Sequence, residues 1–185
     1  MPLLEIAINS LRDLTASQKQ HLIEDLSRIA NSDNKVTFFE FILLTLSKQQ
    51  LTSTYGRQVK SKYHSLSDVG KEVGLILKLF AKASTTDKEK QKAHFSHASA
   101  LFSSRVQWNE CMPINSRNIS HSLHKLRLLS PLLKRPLIES FIDCVMANNT
   151  VSYREYELLR LVSVVLDCPI PPYLTQHVKS PPSDT

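Results

Sequence analysis

Oxygen-bearing side chains recur in two polar segments of the sequence, and their types suit a divalent cation. Asp33 and Glu40 lie in the first segment, and Asn148 and Glu155 lie in the second. Such a cation takes several oxygen ligands, some of them charged. The spacing is not that of an EF-hand, which needs acids at alternate positions and a glycine at the sixth. Helix capping and turn formation explain all four residues and are the simpler interpretation, with metal binding as the alternative.

Two pairs of histidines are spaced three residues apart, His94 with His97 and His121 with His124. On a helix each pair would share a face and could chelate zinc. Neither pair belongs to an HExxH motif, and no third ligand is predicted, so exposed histidines are the simpler interpretation. The three cysteines form no CxxC motif, which argues against a thiolate zinc site or a disulfide framework. We predict that Cys144 is a buried thiol in a reducing, cytoplasmic protein.

Motifs for catalysis are missing from the sequence. It has no glycine-rich phosphate loop, no G-x-S-x-G turn and no cysteine–histidine signature. The acidic residues that are not explained as helix caps are dispersed along the chain. We therefore predict that this chain is not an enzyme and carries no cofactor of its own.

An internal repeat is the strongest signal for the architecture. When residues 11–48 are compared with 126–163, 13 of the 38 paired positions are identical without a gap, where about 6% identity is expected by chance. Asp33 then pairs with Asn148, and Glu40 pairs with Glu155. Apolar residues at helical spacing precede each polar segment. The comparison predicts two helix-loop-helix units, residues 11–51 and 126–167, separated by an insertion at 52–115.

Local capping signals mark where the helices of each unit begin. Capping boxes, in which a hydroxyl and an acid or amide three residues later exchange hydrogen bonds, are predicted at Thr15, Thr37, Thr86 and Ser152. Ser130 precedes a proline and is predicted to cap the helix that the proline starts. Between the units, the sequence predicts helices over 67–83, from Thr86 to about 104 and over 116–129, with an irregular stretch at 105–115.

Composition limits the function classes further. The chain has 185 residues, 42% of them hydrophobic, and a formal net charge of +6 with a modest concentration of positive charge between Arg57 and Lys92. Nucleic-acid binders usually show a tighter basic stripe with interleaved aromatics, so nucleic-acid association is the weakest of our alternatives. No stretch reaches the roughly 18 apolar residues that span a bilayer, which predicts a soluble chain that needs no membrane contact.

Consecutive phenylalanines at positions 38 and 39, followed by Phe41, cannot all face one core. Phe39 is paired with Arg154 in the second repeat unit. The sequence thus offers Phe39 as a partner-binding residue, with a small satellite core contact as the alternative.

Two stretches of the chain look familiar. Its second half contains the segments 126–135 (LRLLSPLLKR) and 166–172 (LDCPIPP). The start of the chain runs from 3–7 (LLEIA) to 39–41 (FEF). Both ends resemble the C-terminal region of bacterial membrane zinc metallopeptidases of the HtpX-like type. Within that region the repeat units resemble the tellurite-resistance TerB fold, whose loops generally carry Asp-Gly. Here Asn34 and Asn149 replace the glycine and Asn148 replaces the aspartate, while the middle of the chain, about 52–115, is poorly matched.

This resemblance implies a longer parent protein with membrane helices and an upstream HExxH zinc site, in the bacterial inner membrane. None of those zinc residues has a counterpart in this sequence, so no catalytic residue is carried over. The implied partner is the peptidase domain in cis or another protein. The alternative is a free-standing TerB-like module that binds a divalent metal and acts in stress resistance.

Taken together, we predict an all-α domain of about eight helices over residues 1–174, followed by a disordered tail at 175–185. The two repeat units are expected to pack against each other about a pseudo-twofold axis. The predicted function is that of a non-catalytic accessory domain that docks a partner or substrate. The sequence does not identify the ligand or the oligomeric state.

Overall fold

The computed structural model describes residues 11–30, 44–45, 47, 51, 60–102 and 106–178. The chain divides into two compact units, Met1–Gln58 and Val59–Thr185.

Helices make up the regular secondary structure of the described ranges, together with two isolated β-bridges. The α-helices are α1 (Ala16–Ala30), α2 (Gly70–Ser84), α3 (Lys88–Ser99), α4 (Ser116–Arg127), α5 (Pro131–Met146) and α6 (Tyr153–Leu166). Short 3-10 helices cover Leu11–Asp13, Leu66–Val69 and Pro172–His177. Leu44, Thr45, Ser47 and Leu51 are helical as well. The all-α prediction is confirmed, and the α-helical residues in the described part of the chain belong to seven α-helices, where about eight helices were predicted.

The first unit shows the predicted start of its first repeat helix. The Thr15 backbone N–H donates to Gln18 Oε1 at 2.9 Å, and the Gln18 N–H donates to Thr15 Oγ1 at 3.3 Å. This reciprocal pair is the predicted capping box, and it satisfies donors that the first turn of α1 leaves without helical partners. The box at Thr37 lies outside the described residues. The pseudo-twofold relation of the two repeat units therefore stays a prediction.

Helix α2 is the centre of the second unit and packs against α3, α4, α5 and α6. The apolar stripe predicted for residues 67–83 is buried, with Val73, Ile76 and Phe80 each 0% exposed. The Phe80 ring lies 5.3 Å from the Phe141 ring of α5, measured between centroids. The segment that the repeat comparison treats as an insertion thus supplies the core helix on which the second repeat unit packs.

Two of the predicted helix starts are corrected by the structure. Helix α3 is capped by Asp87, whose carboxylate accepts the backbone N–H groups of Glu89 and Lys90, and not by Thr86. Aspartate is a stronger N-cap than threonine, and it stands one residue closer to the first turn. This helix also ends at Ser99, five residues before its predicted end.

At the start of α5 the prediction is half right. Pro131 occupies the first turn, as expected, but the Ser130 side chain makes no capping hydrogen bond. The backbone of Ser130 is used differently, since its N–H donates to the Tyr63 carbonyl at 2.9 Å beside the Tyr63–Leu129 bridge. That bridge ties the entry of the second unit to the turn between α4 and α5.

Regular structure continues after the end of α6 and past residue 174, where the predicted domain ends. Asp167 adopts the left-handed conformation at φ 54° and terminates the helix just before Pro169. A 3-10 helix follows, and Val178 then pairs with Val151 in an isolated parallel bridge. The predicted start of the tail at residue 175 is therefore at least four residues too early, because residues 175–178 belong to the 3-10 helix and the bridge.

Within the described part of the chain, none of the helices is long and apolar enough to cross a membrane.

Candidate functional site

Three of the predicted site residues, Asp33, Phe39 and Glu40, lie outside the described residues. Asn148 and Glu155 of the second repeat unit are described, and both act on the backbone of their own loop. Asn148 Oδ1 accepts from the Thr150 backbone N–H at 3.0 Å and from its hydroxyl. This arrangement is an Asx turn, in which the side chain bonds to the backbone two residues further on.

Glu155 forms the predicted capping box with Ser152. Its Oε2 atom accepts from the Ser152 backbone N–H at 2.8 Å and from the Ser152 hydroxyl at 2.6 Å. The Glu155 side chain is 2% exposed, and its Oε1 atom has no hydrogen-bond partner in the described part of the chain. The neighbouring Asn149 takes the left-handed conformation at φ 58°, as its position after a helix predicts. Each of these residues has the structural role that the capping interpretation assigns to it.

We expect Ser152→Ala to lower the free energy of unfolding by about 1 kcal/mol, because it removes the cap of α6 and one donor to Glu155. Urea denaturation followed by circular dichroism measures the difference. Ser120→Ala is the matched control, since Ser120 is exposed on α4, and this change is expected to shift stability by less than about 0.5 kcal/mol. Equal effects of the two changes would contradict the capping role.

Metal ligands do not cluster in the described ranges, where no three His, Cys, Asp or Glu side chains form a metal-binding group. His94 lies 2.7 Å from the Ser84 hydroxyl through its Nδ1 atom, while His97, His121 and His124 are exposed. Three of the four histidines are therefore exposed, as the simpler interpretation predicts, while His94 is half-buried against Ser84.

Cys144 is a buried thiol, as predicted, and is 0% exposed beneath α2. Burial raises the pKa of this thiol from its ordinary value of 9.0 to about 12, and Glu155 and Asp143 add to the rise. The thiolate is the reactive form of cysteine. Cys144 is therefore unreactive for two reasons, because reagents cannot reach it and because its thiol stays protonated. Cys111, in contrast, is exposed.

Alkylation is expected to distinguish these two thiols. In a variant with Cys111→Ser and Cys168→Ser, iodoacetamide should leave Cys144 unmodified at neutral pH until denaturant is added. The matched variant with Cys144→Ala and Cys168→Ser should be modified at Cys111 in the folded state. Mass spectrometry of the intact chain reads both results, and rapid native labelling of Cys144 would show that the thiol is accessible.

A cleft lies between α2 and the segment 106–112 in the described part of the second unit. We call it the α2 cleft, and we call 106–112 the docked loop. The α2 cleft has a volume of about 360 Å³. It is lined by Lys71, Gly74, Leu75 and Lys78 of α2 and by 107–110 and Met112 of the docked loop. This volume lies within the range of small-ligand sites in proteins, roughly 300–1,000 Å³.

Lys78 fastens the docked loop to α2. Its ammonium donates to the carbonyl of Asn109 at 2.6 Å and to the carbonyl of Met112 at 3.2 Å. The side chain is 4% exposed, and burial lowers the pKa of its ammonium, with Lys82 adding to the decrease. The two carbonyls lie 31 and 34 residues downstream of Lys78, so one side chain joins the docked loop to a helix that is distant in sequence.

Trp108 forms one side of the cleft, and it is the single tryptophan of the chain. The ring meets Phe95 edge-on at 5.3 Å between centroids, and the Lys78 ammonium lies 5.5 Å from its centre, within cation–π distance. The indole N–H donates to Glu110 Oε1 at 2.7 Å and lowers the pKa of that carboxyl. Any change in tryptophan fluorescence therefore reports on this cleft.

The glycine at position 74 permits the close approach of the docked loop. A Cβ atom built at Gly74 would stand 3.2 Å from the carbonyl oxygen of Gln107, which is tighter than ordinary packing. The helix interior would otherwise favour alanine over glycine by about 1 kcal/mol. The absence of a side chain at Gly74 therefore allows the helix and the docked loop to come into contact.

Sequence reasoning missed Lys78, Trp108 and Gly74 as site residues. A signal was present, because Lys78 is the one charged residue within the nine-residue apolar run 73–81 (VGLILKLFA). A helix segment that is apolar on all sides is buried, and a lysine inside it needs acceptors from elsewhere.

Comparison with known proteins adds no relative at this point. No family model, no curated protein and no solved structure matches the chain.

Proposed function

We propose that the chain is a non-catalytic interaction domain and that the α2 cleft docks a segment of a partner protein. The observation that carries this proposal is the preformed cleft itself, which Lys78 holds open between helix and loop. A site whose walls are fixed before binding loses less conformational entropy when a ligand enters.

The chemistry of the cleft favours docking over catalysis. A nucleophile or general base needs a free lone pair within reach of a substrate. Lys78 is engaged by two carbonyls, and Glu110 Oε1 accepts from the Trp108 indole. Lys78 and the Oε1 atom of Glu110 therefore stabilise the walls, while Lys71 and the remaining lining surface offer recognition.

The resemblance to the C-terminal region of HtpX-like metallopeptidases extends this proposal to the setting of the domain. In that setting the partner is a peptidase domain in cis, a subunit or a substrate segment. This part rests on the resemblance of the two ends of the chain alone.

A peptide library tests the docking role without knowledge of the partner. The full chain is panned against random dodecapeptides, and each enriched peptide is titrated while the emission of Trp108 is recorded. The proposal predicts enriched peptides that change this emission saturably. Failure to enrich any peptide, or peptides that bind by calorimetry without affecting Trp108, would refute docking in the α2 cleft.

A further inference from the structure

Positive charge dominates the surroundings of the α2 cleft. Lys71 and Lys78 line it, and Lys82 and Lys92 act electrostatically on Glu110, the acidic residue of its walls. Three cations thus act on the Glu110 carboxylate, and a fourth, Lys71, lines the same cleft. Like charges held together at a concave surface favour an oppositely charged ligand.

Two of these cations remain available for a ligand. Among the described residues, Lys71 and Lys82 make no hydrogen bond or ion pair, and both are exposed. The Lys92 Nζ atom lies 3.9 Å from Glu110 Oε1, which is a long ion pair, and half of the Lys92 side chain is exposed. Lys78, in contrast, is committed to the docked loop. The ammonium groups left for recognition are those of Lys71, which lines the cleft, and Lys82, one helical turn beyond Lys78 on α2.

The lysines of α2 form a row along the helix. Lys71 and Lys82 are eleven residues apart, a spacing that returns to the same helix face after three turns and covers about 16 Å. An extended peptide advances about 3.3 Å per residue, so about five residues reach from one ammonium to the other. A single small anion would meet only one of them.

From this charge pattern we infer that the α2 cleft recognises carboxylates on an extended acidic peptide segment, an inference that rests on the proposed docking function. Carboxylates of the segment pair with Lys71 and Lys82, while its side-chain stems contact the Trp108 ring. A nucleic acid fits less well, because the Lys78 ammonium lies over the face of the Trp108 ring on which a base would stack.

The probe is an acetylated and amidated hexaglutamate, with hexaglutamine as the neutral peptide of the same length. Titration at low salt is followed by Trp108 emission and by calorimetry. We expect saturable binding of hexaglutamate, weakened by added salt, and at least about tenfold weaker binding of hexaglutamine. Equal binding of the two peptides would overturn the inference.

Matched charge reversals locate the binding. Lys71→Glu is expected to weaken hexaglutamate binding about five- to tenfold, since it reverses one pairing cation. Lys90→Glu changes the net charge equally, but Lys90 is exposed on α3 about 200° around the helix from Lys92, and binding should stay within about twofold. An equal loss in the two variants would mean unspecific attraction to a basic chain and would overturn the inference.

Two further arms identify the source of the carboxylate and the class of ligand. A hexaglutamine with a free C-terminal carboxylate should bind about as weakly as the blocked hexaglutamine, because it offers one carboxylate to the two lysines. Binding as strong as that of hexaglutamate would assign recognition to a chain end and would overturn the inference. Displacement of hexaglutamate by a dodecathymidylate at lower concentration would overturn the choice of a peptide. If library peptides bind at the cleft while hexaglutamate does not, this inference fails and the docking function stands.

Discussion

Phe80→Ala is expected to lower the free energy of unfolding of the second unit by about 3 to 5 kcal/mol. The Phe80 side chain is 0% exposed, stands on the central helix α2 and meets Phe141 of α5 at 5.3 Å. Its removal leaves a cavity between the segment 60–125 and the second repeat unit. Urea denaturation monitored by circular dichroism and by Trp108 emission measures the loss.

The control for this change is Leu132→Ala. Leu132 lies on α5, as Phe141 does, but is 86% exposed. Its truncation is expected to change stability by less than about 0.5 kcal/mol. A Phe80→Ala effect below about 1 kcal/mol would mean that α2 is not the core helix and that 52–115 is a dispensable insertion.

The second large effect is expected from Lys78→Met. This substitution keeps most of the side-chain volume and removes both hydrogen bonds to the docked loop. Hydrogen bonds from a charged donor contribute about 1.5 to 3 kcal/mol each, and the released carbonyls regain water, so we expect a loss of about 2 to 4 kcal/mol. Trp108 emission should shift to longer wavelength in the folded state as the loop leaves α2.

Lys82→Met is the matched control, one turn further along α2 and exposed. It should leave both stability, within about 0.5 kcal/mol, and the Trp108 emission unchanged. If Lys78→Met and Lys82→Met behave alike, Lys78 does not hold the loop.

A pH series gives the same substitution a signed prediction. Burial lowers the pKa of folded Lys78 below its ordinary 10.5. At a pH between the lowered pKa of folded Lys78 and the ordinary 10.5 of the unfolded chain, the unfolded chain binds more protons than the folded chain. This group therefore makes stability rise as pH rises in that interval. The difference in unfolding free energy between the wild-type chain and Lys78→Met should therefore grow over this interval. A difference that shrinks would contradict the buried position of the ammonium.

Local signals predicted much of the fold because their partners are close in sequence. The capping boxes at Thr15 and Ser152 each use residues three positions apart, and both are present. The helix over 67–83 followed from a periodic apolar stripe. At Thr86 two local signals competed, and the aspartate one residue later formed the cap.

The candidate site could not be predicted in the same way because its contacts are distant in sequence. Lys78 reaches acceptors more than 30 residues away, and Gly74 is explained only by the backbone of Gln107. The central position of α2 was also missed, because repeat comparison emphasises the segments that match and not the one between them. Burial of a lysine depends on which loop covers it, and periodicity carries no information about that.

Titration of a library-selected peptide into the wild-type chain and into Gly74→Leu tests the central claim most directly. A leucine at position 74 fills the cleft or displaces the docked loop, since even its Cβ would stand 3.2 Å from the Gln107 carbonyl. Circular dichroism checks that the helices persist, and Lys71→Glu serves as a second variant if they do not. The account predicts at least about tenfold weaker binding by Gly74→Leu; an unchanged affinity in a folded variant would contradict it and place the binding surface elsewhere.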